Sequence, residues 1–172
     1  MKKFGGPALF LDRNDINTDE IIPAKYLTEN TKTALKPHIL EDLILPGFDP
    51  VSDCAGAEVI VTRANFGCGS SREHAVWVLE VNDINVVIAE SFARIFRQNM
   101  FNCGMLAIEL PPEDIDSLFQ MAGKVVIEVD LDRRKIRAQG EEEEKEFSFH
   151  LGGFEHELVV LGGWLPYADQ RY

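Results

Sequence analysis

Cysteine is scarce in this 172-residue chain, which has three such residues, Cys54, Cys68 and Cys103. Their odd number excludes a complete disulfide framework. They form no C-x-x-C pair, so the spacing lacks the ligand pattern of a zinc or iron–sulfur site held by this chain alone. We therefore expect no metal in this chain, and any metal cluster that takes part in the function is expected on another chain.

Basic residues and long apolar runs are also in short supply. The 17 lysines and arginines are outnumbered by 29 aspartates and glutamates, which gives a formal net charge of −12. Binding to a nucleic-acid backbone needs a basic stripe, which the sequence lacks. No stretch reaches the roughly 20 apolar residues of a membrane helix, and the first residues lack a signal-peptide core. We therefore expect a cytoplasmic protein with neither a nucleic-acid nor a membrane partner.

What is present is the composition of a packed globular protein. Hydrophobic residues make up 45% of the chain and charged residues 27%, with 11 phenylalanines. This is too hydrophobic for a disordered chain. The length suits one domain over residues 1–172 with a sizeable core, and we find neither an internal repeat nor a linker.

Periodicity predicts an α/β fold with a parallel or mixed sheet and flanking helices, and a mixed sheet is the arrangement we expect. Strands are predicted at 8–11, 58–62, 85–89, 105–110, 125–131, 135–138 and 146–151. Helices are predicted over 70–82, from Ser91 as the N-cap to Gly104, and from Pro111 to about Met121. Residues 28–50 have poor periodicity and several prolines, which indicates a long irregular excursion. The acidic run 141–144 is predicted to be a solvated loop.

Residues 65–75, which read NFGCGSSREHA, carry the strongest signal for a binding site. Gly67 and Gly69 allow the backbone to approach a ligand closely, and the predicted helix after them directs its free N–H groups toward an anion. Ser70 and Ser71 offer hydroxyls, and the guanidinium of Arg72 can bind a carboxylate through two parallel hydrogen bonds. Together these residue types predict a site for a carboxylic acid.

A purely structural interpretation of the same residues is also open. Ser70 and Glu73 have the spacing of a capping box, in which each side chain satisfies a backbone donor at the start of a helix. Nucleotide binding is disfavoured, because the loop lacks both the third glycine of a dinucleotide fingerprint and the Gly-Lys-Ser/Thr of a P-loop. His74 and Cys68 are both predicted to be structural residues.

Three separated motifs, NTDEIIP at 17–23, the segment 65–75 and SFARIF at 91–96, together resemble the swivelling domain of the aconitase superfamily. They occur in the family's order, and the flanking strands fit. In its length, and in having the swivelling domain as a separate chain, the sequence is most similar to the small subunits of 3-isopropylmalate dehydratase. The resemblance implies a swivelling β/β/α domain that acts with a large subunit, as a heterodimer or heterotetramer. That large subunit would hold a [4Fe-4S] cluster.

The activity implied by the resemblance is the interconversion of 2-isopropylmalate and 3-isopropylmalate by dehydration and rehydration, a step of leucine biosynthesis. In the family the first serine of the Gly-Ser-Ser-Arg motif takes the carbon-bound proton, and here it is Ser70. Ser71 and Arg72 match the residues that bind the substrate carboxylate. Asp19 matches a polar position on the cluster side of the active site, although a turn-forming carboxylate is an equally good interpretation.

Leu27 and Thr28 fall where the family's small subunits carry a loop that discriminates among substrate side groups. An apolar residue there suits an alkyl group, whereas an arginine would suit an extra carboxylate. Lys25 leaves the second possibility open. Two alternatives therefore remain at this point: a small subunit for another substituted malate, such as citramalate, dimethylmalate or homoaconitate, or an anion-binding module without catalysis.

Overall fold

Seven strands form one mixed sheet in the computed structural model, which describes residues 2–172 and leaves Met1, the first residue of the predicted domain, outside the described range. The strands are β1 (Gly5–Leu11), β2 (Val59–Thr62), β3 (Val86–Ala89), β4 (Leu106–Glu109), β5 (Val126–Asp130), β6 (Lys135–Gln139) and β7 (Glu144–Ser148). Their order across the sheet is β4-β3-β2-β1-β5-β6-β7. The predicted mixed sheet is thus confirmed.

The two halves of the sheet differ in direction and in burial. Strands β1 to β4 pair in parallel, while β1 pairs with β5 and β5 to β7 pair with one another in antiparallel fashion. Every residue of β2 and β3 is buried, as expected for parallel strands covered on both faces. On β6, Ile136 and Ala138 are buried while Arg137 and Gln139 are exposed, which is the alternation of a sheet with one solvated face.

Helices connect and flank these strands. Their bounds are α1 (Thr18–Ile21), α2 (Lys32–Leu35), α3 (Pro50–Cys54), α4 (His74–Val81), α5 (Arg94–Asn102), α6 (Pro112–Phe119), α7 (Gly153–Leu161) and α8 (Trp164–Arg171). Short 3-10 turns occupy Ala24–Tyr26 and Lys36–His38. Helix α5 packs against β4, and α6 packs against β2. Within residues 2–172, the helices lack the combination of length and apolar character that crossing a membrane requires.

Two of the predicted helix starts are wrong. Helix α5 begins at Arg94 with Ala93 as its N-cap, and the Ser91 hydroxyl instead accepts a hydrogen bond from the Asn65 N–H at 2.8 Å. Helix α4 begins at His74, four residues later than predicted. In both cases the serine hydroxyl predicted to cap the helix instead contacts a residue of another loop: Ser91 contacts Asn65, and Ser70 contacts Thr18. Sequence periodicity cannot predict such contacts between loops.

The boundaries near the carboxyl end also differ from the prediction. The last strand, β7, spans Glu144–Ser148 rather than 146–151, because residues 144–148 pair along the whole of β6. Helices α7 and α8, together with the short helices α1 to α3, were not among the predicted elements. In the acidic run 141–144, residues 141–143 form an exposed loop, as predicted, while Glu144 is the first residue of β7.

The parallel half of the sheet determines where the three motifs meet. Motif 17–23 follows the end of β1, segment 65–75 follows β2, and motif 91–96 follows β3. The carboxyl ends of parallel neighbouring strands lie at the same edge of a sheet, where ligands of α/β proteins commonly bind. The fold therefore brings all three motifs to one edge.

Candidate active site

Backbone hydrogen bonds join the three motifs directly. Short parallel bridges pair Asn17 with Cys68 and Phe66 with Phe92. The Thr18 N–H donates to the Cys68 carbonyl at 2.8 Å, which adds a further bond between the first two motifs, and the Gly67 N–H donates to the carbonyl of Ile16, the residue before the first motif, also at 2.8 Å. The middle motif is thus held on both sides by the other two.

An open cleft of about 590 Å³ lies where the second and third motifs meet. Its volume is in the range of small-molecule sites, roughly 300–1,000 Å³. The lining residues are Gly67, Gly69, Ser70, Ser71, Ala93, Arg94, Ile95, Phe96 and Gln98. The cleft thus combines two serine hydroxyls and one cationic side chain with apolar walls, which suits an acid that carries an alkyl group.

Ser70, the predicted base, lies half-buried in this cleft. Its hydroxyl oxygen lies 3.2 Å from Oγ1 of Thr18, and its backbone N–H donates to the same Oγ1 at 3.2 Å. The capping-box interpretation of Ser70 and Glu73 is wrong, since α4 starts only at His74 and Glu73 is itself the N-cap residue. The effect of a helix dipole falls off within the first turn, so the electrostatic potential at Ser70 is set mainly by the groups nearest to it.

Arg72 and Asp19, both predicted to bind substrate, contact each other. Nη1 of Arg72 donates to Oδ1 of Asp19 at 2.8 Å. The side chains are 34% and 63% exposed, so solvent screens this pair. Asp19 lies in the first turn of α1, and the capping box of this helix is made by Asn17 and Glu20. The turn-forming role considered for Asp19 is therefore taken by Asn17, whose side chain accepts from the Glu20 N–H. One of the five N–H donors of the guanidinium is occupied by Asp19.

Leu27 and Thr28 lie in the segment between α1 and α2. Leu27 is the half-buried C-cap of the 3-10 turn Ala24–Tyr26, and Thr28 is exposed. Among the described residues, those that line the cleft do not include either of them. The next residue, Glu29, has its carbonyl 3.4 Å from Nε2 of His74, which places this loop beside the start of α4.

Cys68 and His74 flank Ser70 in the segment 65–75. Burial raises the pKa of the Cys68 thiol, which favours the unreactive thiol over the thiolate nucleophile. The His74 ring packs against Trp77 with a centroid separation of 4.7 Å. Both placements fit the structural roles predicted for these residues.

The sequence reasoning missed several residues of the site. Thr18 was not singled out, although it lies inside the recognised motif 17–23, and its importance depends on a contact with a residue 52 positions away. Arg94, Ile95 and Phe96 belong to motif 91–96 but were not singled out as site residues, and all three line the cleft. Thr18 belongs to a polar loop that leaves the carboxyl end of β1, and this position is the signal that could have identified it.

Gly67 should be intolerant of any side chain. Its φ of +83° disfavours other residues, and a Cβ there would come within 2.2 Å of Cγ of Phe96, whose side chain is 3% exposed. Gly67→Ala is expected to lower the free energy of unfolding by about 2–5 kcal/mol, from backbone strain and overpacking together. Urea unfolding measures this change. Gly47→Ala is the matched control, since Gly47 has φ +72° and open space around it, and should cost only about 1–2 kcal/mol.

Known proteins are similar to this chain in sequence and in fold. The family model of the aconitase C-terminal domain matches residues 49–113. The chain is 41% identical over 156 residues to the 3-isopropylmalate dehydratase small subunit 2 of Deinococcus radiodurans, covering 90% of this chain and 71% of that protein. A crystal structure of 3-isopropylmalate dehydratase from Methanocaldococcus jannaschii superposes with a TM-score of 0.77 at 32% identity, covering 97% of this chain and 93% of that one. The fold, the three interlocked motifs and these similarities show that the chain belongs to the 3-isopropylmalate dehydratase small-subunit family.

Proposed function

We propose that this chain is the small subunit of a two-subunit hydro-lyase that interconverts 2-isopropylmalate and 3-isopropylmalate by dehydration and rehydration. The observation that carries the proposal is the position of Ser70 and Ser71 in a cleft built by two of the motifs that define the family resemblance. Family membership supports the reaction class, because the similar proteins are named for this activity.

Ser70 is proposed to remove the carbon-bound proton of the substrate. A serine hydroxyl is too weak a base at neutral pH unless its anion is stabilised where it forms. Arg94 lines the same cleft and contributes positive potential, and the Thr18 hydroxyl lies 3.2 Å from Ser70 Oγ. The site therefore offers both a cation and a hydroxyl partner to a developing alkoxide.

Ser71 and Arg72 are proposed to bind a substrate carboxylate. Ser71 is exposed in the cleft, and Arg72 follows it directly. Asp19 takes one donor of Arg72, which orients the guanidinium and leaves its remaining donors available for a carboxylate. In this arrangement Asp19 contributes to substrate binding through Arg72.

The large subunit is proposed to hold the [4Fe-4S] cluster, which would act as the Lewis acid for the leaving hydroxyl. The three cysteines of this chain form no C-x-x-C pair, so their spacing does not fit the ligand pattern of an iron–sulfur cluster. Burial raises the pKa of Cys54 to about 12 and that of Cys103 to about 11, which favours the protonated thiol in the metal-free chain. The proposal therefore requires a partner subunit and assigns this chain the proton-transfer and carboxylate-binding residues.

An alkyl-substituted malate is the proposed substrate class. Ala93, Ile95 and Phe96 form an apolar wall of the cleft, and the Ile95 side chain is 54% exposed there. A branched alkyl group can lie against this wall at little cost, whereas a third carboxylate would lose its hydration. The roles of Leu27 and Thr28 in selecting the side group stay predictions, since neither residue is among the described residues that line the cleft.

A cytoplasmic location is part of the proposal. Cys54, Cys68 and Cys103 are free thiols, and proteins with unpaired cysteines are typical of reducing compartments.

Reconstitution with a large subunit tests the proposed function. We expect the purified chain alone to be colourless and without turnover, and the co-expressed complex, after anaerobic cluster assembly, to convert 3-isopropylmalate with a higher kcat/KM than citramalate, citrate or homoaconitate. Turnover or an iron–sulfur absorption band from this chain alone would contradict the two-subunit proposal. A complex that prefers citramalate or homoaconitate would identify a different substituted malate, and no turnover of any substrate would support a non-catalytic anion-binding module.

A further inference from the structure

We infer that Thr18 is a positioning residue for Ser70, whose hydroxyl holds the Ser70 side chain in place and donates a hydrogen bond to its oxygen when that oxygen is deprotonated. The inference rests on the proposed function, since it assumes that Ser70 is the base. It goes further by assigning a role to a residue of the first motif that neither the family resemblance nor the sequence pattern singled out.

Thr18 is fixed in the structure more firmly than a surface threonine would be. Its side chain is among the few buried polar ones, with 3% exposure. Its backbone N–H donates to the Cys68 carbonyl at 2.8 Å, and its own carbonyl accepts from the Ile22 N–H at 3.0 Å. It is the first residue of α1, a helix closed at its start by the capping box of Asn17 and Glu20. The hydroxyl is therefore presented to Ser70 from a rigid base.

The pattern of donors and acceptors determines where the Thr18 proton can go. Oγ1 of Thr18 accepts the Ser70 backbone N–H at 3.2 Å, so this lone pair of the hydroxyl is occupied. The second contact of Oγ1 is Oγ of Ser70, also at 3.2 Å. A serine alkoxide has no proton to donate, so in that state the hydrogen bond has to run from Thr18 to Ser70. Hydrogen bonds to charged acceptors are shorter, and we expect this contact to tighten as charge develops.

Gly69 makes this close approach possible. Its φ of +101° turns the chain toward Thr18, and a Cβ at this position would lie 3.2 Å from Oγ1 of Thr18. Any larger residue would compete with the hydroxyl for the space beside Ser70. The glycine predicted to admit a ligand therefore also admits the Thr18 hydroxyl.

The charges around Ser70 favour such a donor role. Helix α1 supplies Asp19 and Glu20, but Asp19 pairs with Arg72, and Glu20 pairs with Arg13. The hydrogen bond from Arg13 holds the pKa of the Glu20 carboxyl below its usual value. The segments around Ser70 carry the charged and titratable residues Arg13, Asp15, Asp19, Glu20, Cys68, Arg72, Glu73, His74 and Arg94, of which Arg94 lines the cleft together with Ser70.

Thr18→Val tests the inference in the assembled enzyme, because valine keeps the branched shape and replaces the hydroxyl by a methyl group, which removes both its contact with Ser70 Oγ and the acceptor of the Ser70 N–H. We expect kcat to fall roughly 10-fold or more at neutral pH, since one hydrogen bond to a charged oxygen is lost. The acidic limb of the kcat profile should move to higher pH by about one unit, because the Ser70 anion forms less readily. KM should stay within about threefold of its original value, since ground-state binding does not use the lost bond. Thr18→Ser should restore both the rate and the pH profile.

The outcomes separate a positioning role from a structural one. Should Thr18→Val fail to fold, Thr18→Ala, which fills less space, takes its place in the same measurements. A variant that loses rate without any movement of the pH profile, or that raises KM alone, would overturn the inference. Ser70→Ala separates this inference from the proposed function: an active Ser70→Ala complex would remove Ser70 as the base, whereas an inactive one beside a normal Thr18→Val complex would refute the Thr18 role alone.

Discussion

Replacing Ser70 with alanine in the assembled enzyme is expected to lower kcat by about 10²- to 10⁴-fold, the range typical for loss of a general base. The cleft would keep its shape, because the Ser70 side chain contacts Thr18 through a single hydroxyl pair. Loss of that hydrogen bond should cost about 0.5–1.5 kcal/mol of folding free energy. Steady-state kinetics on 3-isopropylmalate and urea unfolding of the chain measure the two effects separately.

Ser91→Ala is the matched control for this substitution. The Ser91 hydroxyl accepts a hydrogen bond from the Asn65 N–H at 2.8 Å and so supports the same loop from the opposite side. It should reduce stability by a similar amount and leave kcat nearly unchanged. Near-normal turnover in the Ser70→Ala complex, or an equal loss in both variants, would mean that the hydroxyl of Ser70 supports the loop and does no proton transfer.

The strands of the parallel half could be predicted from the sequence, because their burial on both faces leaves continuous apolar runs. Val59–Thr62 and Val86–Ala89 are buried throughout, and the predicted ranges contain both. The type of sheet could be predicted as parallel or mixed, but the order of its strands could not. Strand β1 pairs with both β2 and β5, two segments that lie far apart in the chain. Long-range pairing of this kind leaves no local signature.

The site was predictable in its residue types and less so in its contacts. Ser70 and Ser71 line the cleft as the motif implied, because glycine-rich loops at strand ends are local features. The contact between Ser70 and Thr18 joins two loops through tertiary packing, and the Ser70–Glu73 capping box was a false local match for the same serine. A short motif indicates which functional groups the site contains. The hydrogen-bond partner of each group depends on which loops the sheet places side by side.

Arg72→Lys is expected to lower kcat/KM by about 10- to 100-fold, mainly through a higher KM. Lysine keeps the charge but loses the planar pair of donors that can bind a carboxylate at two points. In the present structure one of the guanidinium nitrogens, Nη1, already bonds Asp19 at 2.8 Å. The guanidinium can donate to Asp19 and to a substrate carboxylate at once through different nitrogens. The ammonium of lysine has a single nitrogen, which would have to donate to both carboxylates. Steady-state KM and direct binding of 3-isopropylmalate by calorimetry measure the change.

Arg63→Lys is the appropriate comparison, because Arg63 also serves aspartates through different nitrogens. Its Nε bonds Asp12 at 2.8 Å, and its Nη1 pairs with Asp116. Since Arg63 follows β2 directly and is paired with Asp12 and Asp116 outside the segment 65–75, its replacement should alter stability slightly and leave KM as it was. If Arg72→Lys and Arg63→Lys gave the same KM, the pair between Arg72 and Asp19 would be a solvent-screened surface contact, and the carboxylate would have to be bound by Ser71 and Arg94.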